Sequence, residues 1–218
     1  MFKILLYKEL KLEFRTKETY LSMLILGAVL IFLFSVSMGQ LIRTMVHPIT
    51  FFWIIVFLIS SFGLYRSYQN EKNMDSFSMI LSSPVDSSLI YLAKVVAFFI
   101  QITIVQILLI PIAVFFLKIS LNHYILIFVL TLGVNLFLSA IGNIICSMTL
   151  RSKNNEMIIP ILLFPFSTPI LLSVIKATIG ISSEAAFFSY SNWIFLIVVS
   201  IVVFLLLGIW SYDDIIKE

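Results

Sequence analysis

Six long apolar stretches leave this chain little freedom in how it can fold. They lie at about residues 19–42, 49–65, 88–117, 122–150, 157–176 and 187–211. An α-helix rises 1.5 Å per residue, so about 20 apolar residues cross a hydrocarbon core of roughly 30 Å. The second stretch is the shortest and begins beside Pro48; the fourth and sixth have turns to spare. The chain is 61% hydrophobic and 11% charged over 218 residues, more apolar surface than a soluble domain of that size can bury. The expected fold is an all-α membrane protein with six transmembrane helices. No repeat, linker or low-complexity tract divides it, so residues 1–218 are expected to form one domain.

Residues 2–17 differ from the six apolar stretches. Phe2, Leu6, Leu10 and Phe14 recur four apart, with Leu5 beside them and charged residues between. That pattern predicts an interfacial helix, too polar to span yet apolar along one stripe. Eight charges of both signs in residues 1–18 do not fit a secretory signal. Cys146 is the single cysteine, so no internal disulfide can form, and it is read as an inert packing residue.

Charge sets the orientation. With the N-terminus inside, one side holds Lys3, Lys8, Lys11, Arg15, Lys17, Arg66, Lys72, Lys94, Arg151, Lys153 and Lys217; the other holds Arg43, Lys118 and Lys176. The excess of basic residues marks the cytoplasmic side. Both termini and the loop from Tyr65 to Lys94 are therefore expected in the cytoplasm, the membrane being the cell membrane. A net charge of +3 spread this way suits lipid contact and gives no reason to expect nucleic acid as a partner.

The Tyr65–Lys94 loop is the long polar interruption. Met74, Phe77, Ile80 and Leu81 recur at roughly helical spacing, with Glu71 and Asp75 among them, until Ser82-Ser83-Pro84 breaks the pattern. The reading is a short amphipathic helix, then a turn, then a new span. Such a helix suits a partner protein's groove; a merely solvated surface helix is the plainer alternative.

Two spans carry more than hydrophobicity. Thr131, Asn135, Ser139, Asn143 and Ser147 are four apart and share one face of the fourth span. Such a face favours close helix packing, or it lines a polar path. Pro160, Pro165 and Pro169 interrupt the fifth span, which is expected to be kinked or broken.

Several chemistries have no residues to support them. With Lys94 counted in the cytoplasmic loop, no charged residue is expected inside any span, which argues against an ion-driven carrier, although uncharged oxygens could still bind sodium. There is no P-loop, no nucleophile elbow and no His-rich cluster, so the chain is not expected to be an enzyme or to bind a nucleotide, cofactor or metal itself. His47 and His123 stand at outer edges of spans, where a lone histidine is more often structural than a ligand.

Three segments resemble one family. Lys8-Glu9-Leu10 through Arg15, Ser82-Ser83-Pro84-Val85 with Ala93-Lys94, and Pro165-Phe166-Ser167-Thr168-Pro169-Ile170-Leu171 resemble segments of the haem exporter protein B (CcmB) family, within the six-span permeases of ABC-2-type exporters. The coupling segment departs from the pattern at Asp75 and Ser78, where that family has Gly and Glu. The resemblance implies a permease subunit that pairs with a second copy of itself and is driven by a separate ATPase (CcmA-like), which binds the ATP. It implies work beside a Trp-rich haem-handling membrane protein (CcmC-like), with a small accessory subunit, in delivering haem for c-type cytochromes. Haem would be substrate rather than cofactor. Trp53, Trp193 and Trp210 are scattered and form no haem motif. Passage of haem through the chain thus stays open beside ATP-driven release of a loaded chaperone. A permease for a lipid, glycan or peptide, or a membrane assembly factor without transport, are the alternatives.

Overall fold

The computed structural model describes residues 2–15, 17–37, 46–73, 86–119, 123–149 and 155–217, with side chains for all of these except 12–15, 17, 70–73, 155–158 and 214–217. Every regular element among them is a helix: α1 (Phe2–Arg15), α2 (Lys17–Ser37), α3 (Pro48–Asn73), α4 (Ser87–Leu117), α5 (Tyr124–Thr149), α6 (Asn155–Ser182) and α7 (Phe187–Lys217). Each of α2 to α7 is long and apolar enough to cross a membrane. The chain is a multi-pass membrane protein with six candidate spans, and α1 is the short helix read as interfacial. Six crossings put both termini at one end of the bundle.

Helix boundaries follow local chemistry. Pro48 opens α3, where a missing N–H costs nothing, and His47 Nδ1 accepts the next free amide, Ile49 N–H, at 3.4 Å. Lys118 closes α4 in the left-handed conformation, φ 54°. The second span does not stop at Arg66: α3 continues as helix to Asn73, so its last turns carry the chain toward the segment read as a coupling helix. Met74, Asp75, Phe77, Ile80, Leu81 and Pro84 lie outside the described residues, as does the side chain of Glu71.

Proline does not break the fifth span. The α-helix runs through Pro160, Pro165 and Pro169 without interruption, and all three rings are on its exposed side. The hydroxyls of Ser167, Thr168 and Ser173 donate to the carbonyls of Leu163, Phe164 and Pro169, one turn earlier. These bonds keep polar side chains satisfied within the helix's own backbone.

Helices α3 and α5 form the centre. In each, 61% of the apolar window is buried within the chain, against 11% in α7. Gly142 is what lets them meet closely, since a methyl group there would overlap the Leu64 side chain. The outer face of α7, with Phe195, Val202, Leu206 and Trp210, is exposed, as a lipid-facing surface should be.

A buried polar junction as candidate functional site

The charged residue that the sequence reading left in the loop is the centre of the site. Lys94 falls in the second turn of α4, within the apolar candidate span, and is 3% exposed. An ammonium ion with so little water needs a partner. Glu9, on α1, supplies it: Glu9 Oε2 stands 3.8 Å from Lys94 Nζ, and Glu9 Oε1 stands 3.7 Å from Lys8 Nζ. Glu9 is itself 5% exposed, so α1 turns an acid inward rather than keeping all its charges on the wet face. Leu5, Leu6 and Leu10 of the apolar stripe are partly buried beside it, whereas Ile4 and Tyr7 are exposed.

Tyr68, about one and a half turns before the end of α3, joins this pair. Lys94 Nζ lies 5.0 Å from the centre of its ring, a cation–π contact. The Tyr68 hydroxyl donates to Asn143 Oδ1 at 2.7 Å and lies 3.3 Å from Ser147 Oγ. Ser147 Oγ is in turn 3.2 Å from the Tyr212 hydroxyl on α7. Tyr212 packs at a tilt against Tyr91 of α4 with ring centres 5.2 Å apart, and the Tyr91 hydroxyl donates to the Ala140 carbonyl at 3.1 Å. Glu9, Ser67, Tyr68, Lys94 and Asn143 surround one cavity of about 10 Å³. Five helices, α1, α3, α4, α5 and α7, are therefore tied together at the end of the bundle that carries the termini.

The period-four face of α5 explains half of this. Thr131, Asn135, Ser139, Asn143 and Ser147 are all buried. Thr131, Ser139, Asn143 and Ser147 each donate to the carbonyl four residues earlier, which lets them sit in an apolar core. Asn135 differs: its Nδ2 donates across to Thr103 Oγ1 of α4 at 3.1 Å. Spacing in the sequence points to this face but not to its partners. Tyr68, Tyr91 and Tyr212 lie on other helices, among many aromatic residues, and nothing local marks them.

The histidines stand apart, at the opposite end. His47 caps α3, and burial lowers its pKa from 6.5. His123 Nε2 is 3.8 Å from Glu184 Oε1, beside an open cavity of about 350 Å³. Trp53 is buried and donates to Thr178, whereas Trp210 faces outward. No group of three or more metal-ligating side chains occurs among the described residues.

Two of the three segments that carry the family resemblance thus converge on one ion pair, Glu9 from the first and Lys94 from the second. The family model described as CcmB protein matches residues 1–216. The chain belongs to the CcmB family. A relative from Pseudomonas aeruginosa named Heme exporter protein B is 27% identical over 179 residues, covering 79% of this chain and 78% of that protein. Within a CcmB architecture, the junction occupies the base of the loop between the second and third spans, where α3 leaves and α4 returns.

Proposed function

We propose that this CcmB-family chain is the permease subunit of an ATP-driven haem exporter serving c-type cytochrome maturation, and that the buried junction carries motion from the loop into the membrane helices. The observation that supports this is the closed base of the loop. The two helices that flank residues 74–86 meet at Tyr68 and Lys94, and that contact is locked to α1 by Glu9 and to α5 by Asn143. A force applied to the loop moves both stems, and the junction passes the movement to α1, α5 and α7. The chain has no P-loop, so ATP hydrolysis falls to a separate ATPase subunit seated on the loop.

The excess of Lys and Arg on one side supports a cytoplasmic loop and cytoplasmic termini, and the haem-export reading supports the inner membrane. Met74, Phe77 and Ile80 or Leu81 are the apolar anchors offered to a groove of the ATPase, with Glu71 and Asp75 for basic groups beside it. A second copy of the chain, a CcmC-like haem-handling protein and a small accessory subunit complete the assembly. Haem is the substrate.

The test is recovery of the ATPase on tagged permease in mild detergent. Burying one large apolar side chain contributes about 1.5–3 kcal/mol, so Phe77→Ala should weaken the association about tenfold or more at unchanged permease level. Phe77→Asp should weaken it further, because it buries an unpaired charge. Wild-type recovery with both variants would show that the loop is not the contact.

A further inference from the structure

The centre of the bundle holds a polar cluster distinct from the junction. Thr103 lies at the middle of α4 and Asn135 near the middle of α5, and the two are hydrogen-bonded. Thr103, Gln106 and Ile110 fall at i, i+3 and i+7 and so share one face of α4. That face is turned toward α5, because Thr103 bonds Asn135 and Ile110 lines a cavity of about 30 Å³ together with Thr131. Antiparallel packing in this register brings Gln106 to the level of Thr131. Gln106 and Asn135 are both 0% exposed. Among the described residues, neither amide atom of Gln106 has a hydrogen-bond partner, and neither has Asn135 Oδ1.

Unmet polar atoms at membrane depth are costly, and a glutamine that served packing alone would be better replaced by leucine. We propose that the Thr103–Gln106–Thr131–Asn135 seam is a closed polar lane between α4 and α5 that receives the carboxyl group of an amphiphilic substrate when the two helices part. The open atoms are one amide donor and two amide acceptors. A protonated carboxyl group complements them: its carbonyl accepts from Gln106 Nε2, and its hydroxyl donates to Gln106 Oε1 or Asn135 Oδ1. All four seam residues are neutral, so the lane takes the acid form, which needs no counter-charge at that depth. The proposal rests on the permease reading above and names the group on the substrate that the seam recognises.

The experiment uses the assembled permease–ATPase complex in membrane vesicles, with Cys146→Ala as background. Gln106→Cys is exposed to a small, charged, membrane-impermeant thiol reagent, with and without ATP; Phe115→Cys, on an outward-facing side of α4, is the control. The expected result is modification at Gln106→Cys at least tenfold faster than at the control in one of the two states. Protoporphyrin IX should slow it and protoporphyrin dimethyl ester should not. Equal rates at both positions in both states would overturn the lane, and equal protection by acid and ester would overturn carboxyl recognition. Loss of the lane in a complex that still retains its ATPase would leave the permease reading standing. A second variant covers the case in which cysteine disturbs the seam. Gln106→Leu should raise the melting temperature, because it removes unmet polar atoms, and should lower haem delivery more than tenfold. Delivery at the wild-type rate with Gln106→Leu would overturn the proposal.

Discussion

Removing one side of the Glu9–Lys94 pair should cost far more than removing both. Both residues have almost no exposure to water, and their charges stand 3.8 Å apart. At an effective dielectric of about 20, two unit charges near 4 Å attract by about 4 kcal/mol. Breaking a buried pair from one side typically costs about 3–5 kcal/mol, because the remaining charge stays buried without compensation. Glu9→Gln strands the Lys94 ammonium, against which the Tyr68 ring offsets about 0.5–2 kcal/mol. Lys94→Met strands the Glu9 carboxylate, which keeps Lys8 at 3.7 Å on its wetter side and so should suffer less. The double variant Glu9→Gln, Lys94→Met buries no charge. It should lie within about 1 kcal/mol of wild type, well short of the sum of the singles. The assay is a double-mutant cycle on unfolding by a denaturing detergent in mixed micelles, followed by loss of helical circular dichroism. Single-variant costs that add within about 0.5 kcal/mol would refute the idea that these two residues form one energetic unit.

Four further outcomes are expected. Gly208→Ala should destabilise the bundle, because the new methyl group overlaps the Tyr91 ring and displaces its hydroxyl from the Ala140 carbonyl; Tyr91→Phe in the same background should not restore stability, since the ring remains. Tyr68→Phe leaves Asn143 Oδ1 without its 2.7 Å donor, a loss of about 1–3 kcal/mol measurable in the same denaturation assay. Cysteine probes at Arg43 or Lys118 should be labelled from outside the cell and probes at Lys72 or Lys153 should not, with reversed labelling refuting the orientation. His47 is held neutral by burial, its folded-state pKa below 6.5, so the unfolded state takes up the proton first and stability should fall as pH drops through 6.5. His47→Asn keeps a cap acceptor that does not titrate and should flatten that part of the melting temperature–pH curve.

Hydropathy alone makes the six spans legible, since the cost of exposing backbone to lipid leaves only helices to cross it. Where the structure departs from the sequence reading, a tertiary contact or simple helical continuity overrides a local rule. Arg66 reads as the end of a span, yet a helix loses nothing by running on into the polar phase, and α3 continues to Asn73. Three prolines read as a kink or a break, and of these the break does not occur: α6 stays helical with their rings on its exposed side. Lys94 reads as a loop residue because counting charges ignores what lies beside it; its partner sits on the first helix, far away in the chain. The α5 face is legible because a period of four is local, whereas Gln106 could have been noticed only as an amide stranded in an apolar run.

That separation between Glu9 and Lys94 also bears on how the protein is made. Helix α1 leaves the ribosome before α4, which carries the other half of its ion pair and is synthesised only after α2 and α3. Helix α1 therefore cannot complete its ion pair until α4 has been made. Helix α4 meets the lipid with an ammonium in its second turn, and the carboxylate of Glu9 is the group that neutralises it. A nascent chain cut short before residue 94 holds Glu9 with no Lys94 to receive it, so the seat of α1 is completed late in synthesis.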